Sequence, residues 1–193
     1  FDLTPGAAGN GVFAELAGAK IRTMTLNGAV QTAAQVQARY DGQRIRLQPA
    51  ELKPAGNKLQ VVYSRAYVTN GNGLHRFKDV ADGRLYHFNH FEAYYAHLVF
   101  PCFDQPDLKA PITLVVEAPA DWEVIGSTPA TTRISGDLKR WMFAPTRAIS
   151  TYVLTIAAGP FKIWSGRAGR TPLRLLARQS IAEYVDPAEW LGV

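Results

Sequence analysis

Val36-Gln37-Ala38-Arg39-Tyr40-Asp41-Gly42-Gln43-Arg44-Ile45-Arg46-Leu47 is the stretch on which the fold class turns. Apolar and polar residues alternate on both sides of Asp41-Gly42, and a period of two is the repeat of a half-buried strand. Asp tolerates a positive φ and Gly accepts it freely, so the pair reads as a hairpin-type turn between two strands. Asn27-Gly28 gives the same signal upstream. Downstream, Leu59, Val61 and Tyr63 line one face of a further strand, and Asn70-Gly71-Asn72-Gly73 is too rich in turn formers to be anything but loop.

The pattern continues outward from there. Ile112-Thr113-Leu114-Val115-Val116 is a short apolar run, as expected of a strand covered on both faces. Trp141-Met142-Phe143 and Ser150-Thr151-Tyr152-Val153-Leu154-Thr155-Ile156 read as strands, and Leu173 and Leu175 alternate in the last one. Only near the end does the period change. Asp186-Pro187 places a capping acid before a proline at a first helical position, followed by Ala188-Glu189-Trp190-Leu191. The expected fold is all-β, with antiparallel or mixed sheets packed as a sandwich or saddle over residues 1–178. Residues 179–193 then open something helical. At the other end, Phe1-Asp2-Leu3-Thr4-Pro5-Gly6 reads as a strand end running into a turn, as if the chain began within a domain.

Composition narrows the function classes. Of 193 residues, 47% are hydrophobic and 19% charged, which is the profile of a globular domain able to bury its own core. The +5 charge comes from 21 Lys and Arg against 16 Asp and Glu, and the basic residues are scattered rather than gathered into a stripe, which argues against nucleic acid as a partner. No apolar run approaches the ~18 residues of a membrane-spanning helix. The single cysteine, Cys102, rules out an internal disulfide and a thiolate metal cluster. A lone thiol suits a reducing compartment such as the cytoplasm.

One segment gathers unusual chemistry: Gly73-Leu74-His75-Arg76-Phe77, then Tyr86-His87-Phe88-Asn89-His90-Phe91-Glu92-Ala93, then Phe100 to Ala110. Residues 85–92 read as a strand with Phe88, His90 and Glu92 on one face and Leu85, His87, Asn89 and Phe91 on the other. His90 and Glu92 thus form a polar island on an aromatic platform, and a carboxylate facing a cleft can hold a cationic ligand group. His87 and His90 fall on opposite faces and cannot chelate one metal together. His90-Phe91-Glu92 followed by Pro101-Cys102 begins like the zinc deaminase signature, but Gln105 stands where its second cysteine would fall. Cys102 has no His/Asn partner pattern and reads as a packed thiol. Asp104-Gln105-Pro106-Asp107 reads as a turn in which Asp107 caps or pairs locally, and Glu51 reads as an exposed acid.

Gly-Leu-His-Arg-Phe at 73–77, Phe91-Glu92-Ala93, Phe100-Pro101-Cys102-Phe103-Asp104-Gln105-Pro106-Asp107-Leu108-Lys109-Ala110 and Ala118-Pro119-Ala120-Asp121-Trp122-Glu123-Val124 resemble the amino-terminal domain of bacterial aminopeptidase N-type zinc metallopeptidases, the gluzincins. Pro172 to Ser180 is similar to the strand that leads out of that domain. The resemblance implies that residues 1–178 are an amino-terminal β domain lacking its first strands. It makes residues 179–193 the linker and first helix leading into a catalytic domain beyond this chain.

It also implies that zinc is held in that catalytic domain, by a His-Glu-x-x-His helix and a downstream glutamate. A Gly-Ala-Met-Glu-Asn-like strand belongs there too. None of these motifs occurs in residues 1–193. No catalytic or metal-binding residue is therefore expected in this chain, which alone should be inactive. In the family, a glutamate of a Gln-x-Glu pair binds the free α-amine of the peptide. The matching positions are His90 and Glu92, with the bond Glu92–Ala93 expected to be cis. Glu92 keeps its residue type, while His90 stands where glutamine is usual and offers a bulkier, titratable group. The expected partners are a peptide's amino terminus and the catalytic domain. The alternative is a non-catalytic aminopeptidase-like module that binds proteins through the same β domain.

Overall fold

A computed structural model describes residues 1–3 and 11–192. The expected turn around Pro5-Gly6 lies outside the described residues. The fold is all-β, built from antiparallel strand pairs. No helix is long and apolar enough to cross a membrane among the described residues. The chain divides into two compact units: Phe1–Leu74, His90–Ala110 and Ile149–Val153 in the first, and His75–Asn89, Pro111–Ala148 and Leu154–Val193 in the second.

In the first unit, β1 (Val12–Glu15) pairs with β4 (Arg44–Leu47), and β2 (Lys20–Leu26) lies between β3 (Ala29–Val30) and β5 (Leu59–Ser64). Asn27-Gly28 closes the β2–β3 hairpin with φ of 51° and 88°, the two positive values a type I′ turn needs. Alternation along β4 buries Ile45 and Leu47 and exposes Arg44 and Arg46. Leu16, Met24, Leu26, Ile45 and Leu47 form the core of this unit.

The alternating run ahead of Asp41 is not a strand. Ala33–Arg39 is a short helix, α1, because Thr32 accepts a hydrogen bond from the Gln35 amide while the Gln35 side chain accepts one from the Thr32 amide. That reciprocal box at Thr32-x-x-Gln35 outweighs five residues of period two, which a seven-residue helix shares by chance. Thr32→Ala is expected to lower stability by about 0.5–2 kcal/mol, read as a shift of the urea midpoint. An unchanged midpoint would mean that α1 is held by packing alone. Arg39 and Glu51 form a bidentate pair at 2.6 and 2.7 Å, so Glu51 is not the exposed acid expected. The guanidinium holds its carboxyl below the usual range.

In the second unit, β6 (Gly73–Lys78), β7 (Leu85–His90), β12 (Ile156–Gly159) and β9 (Glu123–Gly126) form one sheet, in that order. Strands β10 (Ala130–Ser135), β11 (Leu138–Phe143) and β8 (Val115–Pro119) form another. Trp141 and Phe143 of β11 meet Val124 of β9 and Ala158 of β12 in a shared core, which makes this unit a sandwich. The contact is tight: a Cβ on Gly126 would come within 2.6 Å of the Phe143 ring.

Two expectations fail in this region. Ile112–Val116 is not a strand covered on both faces. Only Val115 onward is strand, at the edge of its sheet, with Val115 and Glu117 exposed on one face and Val116 and Ala118 turned to the other. Ser150–Ile156 is not one strand either. Thr151–Val153 is a 3₁₀ turn, and β12 starts only at Ile156, whose amide donates to Asn89 Oδ1 at 2.5 Å.

The hairpin β13 (Lys162–Ala168) and β14 (Thr171–Ala177) completes the unit. Beyond it, Gln179–Tyr184 is 3₁₀ and α2 spans Pro187–Leu191, with the Asp186 carboxylate accepting from the Ala188 and Glu189 amides. Leu191 packs on Gly166 of β13. Buried Asp79 accepts from Arg178 Nη1 at 2.6 Å and Ser180 Oγ at 2.5 Å, so the segment after β14 is fastened by charge-assisted bonds.

Candidate functional site

Strand β7 ends at His90, two residues short of the span expected. The face assignment survives. Phe88, His90 and Glu92 are exposed, whereas His87 and Phe91 are buried and Leu85 and Asn89 partly so. Tyr86, on the exposed side by parity, is instead buried against the ring of Phe161 at 5.1 Å. His87 and His90 do diverge. His87 packs on Trp122 at 5.3 Å, and burial holds its imidazole below the ordinary range, so it is a neutral core group.

Glu92 lies at the first turn after β7, and the Glu92–Ala93 bond is cis, as the resemblance implies. Phe91, immediately before it, is 1% exposed and meets Phe100 edge-on at 5.8 Å. The Tyr95 amide donates to the Phe91 carbonyl at 3.0 Å, closing the turn around Glu92. His90 lies 5.8 Å from the Tyr95 ring, centroid to centroid. Both named residues therefore present their side chains at one turn. Among the described residues, nothing forms a hydrogen bond or ion pair with the Glu92 carboxylate.

Sequence reasoning missed what stands behind that turn. Asp104 is 1% exposed, and its Oδ2 accepts from the His97 amide at 3.0 Å and faces His97 Nδ1 at 2.8 Å. Its Oδ1 accepts from Thr151 Oγ1 at 2.6 Å. Glu15, 6% exposed, accepts from the Tyr94 hydroxyl and, at 3.2 Å, from the Asp104 amide. The bond to Glu15 raises the pKa of the Tyr94 phenol. One sequence signal was available. Glu15 interrupts the apolar run Val12-Phe13-Ala14-Glu15-Leu16-Ala17, and an acid inside such a run is buried with partners.

The remaining expectations divide. Cys102 is a packed thiol, since burial pushes its pKa far above the range of a nucleophile. Its backbone exchanges two hydrogen bonds with Glu15, at 2.8 and 3.1 Å. The turn falls at Pro106-Asp107, beyond Asp104. The Asp107 side chain caps nothing among the described residues; it is the Asp107 carbonyl that accepts, from Lys109. Among the described residues no three His, Cys, Asp or Glu side chains gather as a metal-ligand set. The described residues thus offer no ligand set for a zinc ion.

A family model described as the peptidase M1 N-terminal domain matches residues 11–153. The chain belongs to the peptidase M1 N-terminal domain family. Aminopeptidase N of Streptomyces lividans is 36% identical over 190 residues, covering 96% of this chain and 21% of that protein. Aminopeptidase N of Acetobacter pasteurianus is 30% identical over 140 residues, covering 70% of this chain and 39% of that protein. Aminopeptidase Ey of Gallus gallus is 33% identical over 94 residues, covering 46% and 10%. This M1 amino-terminal domain therefore spans about a fifth to two fifths of the length of the two bacterial relatives. The matched residues contain the whole Glu15–Tyr94–His97–Asp104–Thr151 network as well as Glu92.

Proposed function

We propose that this chain is the substrate-anchoring amino-terminal domain of a zinc-dependent aminopeptidase, in which Glu92 binds the free α-amine of a peptide and His90 borders the first residue. Residues 1–178 are the domain, and residues 179–193 lead into a catalytic domain that carries the zinc and the bond cleavage. The observation that carries the reading is the open Glu92 carboxylate, held at a closed turn and free of any partner among the described residues. A fixed carboxylate recognises a cationic amine directly, through charge-assisted hydrogen bonds. It also orients the first peptide carbonyl, and orientation is the larger part of what such an anchor contributes.

In the full-length protein, an unblocked aminoacyl anilide is expected to be hydrolysed and its N-acetylated counterpart left intact. This chain alone should turn over neither. Equal hydrolysis of the blocked and unblocked anilides would sink the amine-anchoring role. No hydrolysis of either by the metal-loaded full-length protein would favour the non-catalytic interaction module.

A further inference from the structure

The turn that carries Glu92 has no glycine or proline from Ala93 to Leu98, and its fastening is polar and largely buried. Tyr94 donates to Glu15 through its hydroxyl. His97 is fixed at three points: its amide and Nδ1 meet Asp104 Oδ2, and its carbonyl accepts from the Ala17 amide at 2.9 Å. The Asp104 amide donates to Glu15, so both carboxylates belong to one network.

Burying a carboxylate is an expensive way to stabilise a fold, and an apolar side chain of similar volume commonly does as well or better. What a buried acid does supply is direction. Two donors from a single residue, His97, converge on one oxygen, while Thr151 fixes the other. The donors sit five residues after Glu92, in the 3₁₀ helix Ala96–Leu98 that directly follows its turn.

We propose that Asp104 is a positioning residue for amine recognition, acting through His97 to hold the Glu92 turn in its binding geometry. This rests on the reading of Glu92 as the amine anchor. Glu15 does the same for the middle of the turn through Tyr94. Asp104 touches no substrate, so its removal acts only through what Glu92 contributes.

The test is a double-mutant cycle in the full-length enzyme, with kcat/KM measured on an unblocked aminoacyl anilide. Asp104→Ala should lower kcat/KM by roughly 10-fold or more in the parent, and by less than about twofold when Glu92→Gln is already present. Asp104→Asn should stay within about threefold of the parent, because the amide keeps one oxygen for His97 and can donate to Thr151 Oγ1. A merely structural aspartate would multiply its loss onto Glu92→Gln in full, and that result overturns the proposal while leaving the anchor standing. So does an Asp104→Ala enzyme with unchanged kcat/KM beside an impaired Glu92→Gln enzyme. A Glu92→Gln enzyme with full activity removes the anchor itself, and the proposal with it.

If Asp104→Ala does not fold, Thr151→Val takes its place in the cycle, since it removes one hydrogen bond to the carboxylate and little volume. Its expected loss is about threefold, vanishing in the Glu92→Gln background. Persistence of that loss, or its absence from the parent, overturns the proposal.

Discussion

Glu92→Gln in the full-length protein is expected to lower kcat/KM for unblocked peptides by roughly 10- to 200-fold, the equivalent of about 1.5–3 kcal/mol of charge-assisted bonding. The substitution keeps the shape of the side chain and one accepting oxygen, and removes the charge that matches an ammonium group. The setting decides the size of the effect. Glu92 is exposed in this chain, and an exposed ion pair is worth only about 0–1 kcal/mol. The full loss therefore requires that the rest of the enzyme shield the bound amine from water.

Glu183 is an informative control. It is exposed and, among the described residues, carries no hydrogen bond or ion pair. Glu183→Gln should leave kcat/KM within about twofold. Glu51, in contrast, is committed to Arg39 at 2.6 and 2.7 Å, so its replacement tests stability rather than recognition. Should Glu92→Gln also fall within twofold, the amine-anchor assignment would have to be abandoned.

The all-β class was legible because alternation and turn chemistry agree over most of the chain. Asn27-Gly28 and Asp186-Pro187 behave as their local chemistry dictates. Two of the failures share a cause: at each, a side chain's hydrogen bond overrules the apolar pattern. Thr32 and Gln35 turn Val36–Arg39 into a helix. At Thr151, the hydroxyl goes to Asp104 rather than continuing a strand.

The site shows the same division. The exposed face of Glu92 and His90 was readable from strand parity, which is a local property. The network behind them was not, because it joins residues 15, 94, 97, 104 and 151 across long sequence separations. Within the segment quoted for chemistry, Asp104 and Asp107 look alike. Only the fold distinguishes them, burying the first and exposing the second.

The second large effect falls one residue before the anchor. Phe91→Ala should destabilise the chain by about 3–5 kcal/mol, the usual result of emptying a fully buried aromatic site. Set against a typical net stability of about 5–15 kcal/mol, that is a large share of the whole. Phe91 is 1% exposed and edge-on to Phe100, so truncation removes both its burial and a ring contact. Phe88, three residues earlier and on the opposite face, is 44% exposed. Phe88→Ala should therefore cost no more than about 1 kcal/mol, mainly through its contact with His75. Urea midpoints at constant m separate the two. Equal losses from both variants, or a loss under about 1 kcal/mol from Phe91→Ala, would mean that the two faces are misassigned. Glu92 takes its outward direction from this parity: its carboxylate is exposed because the ring before it is committed to the core.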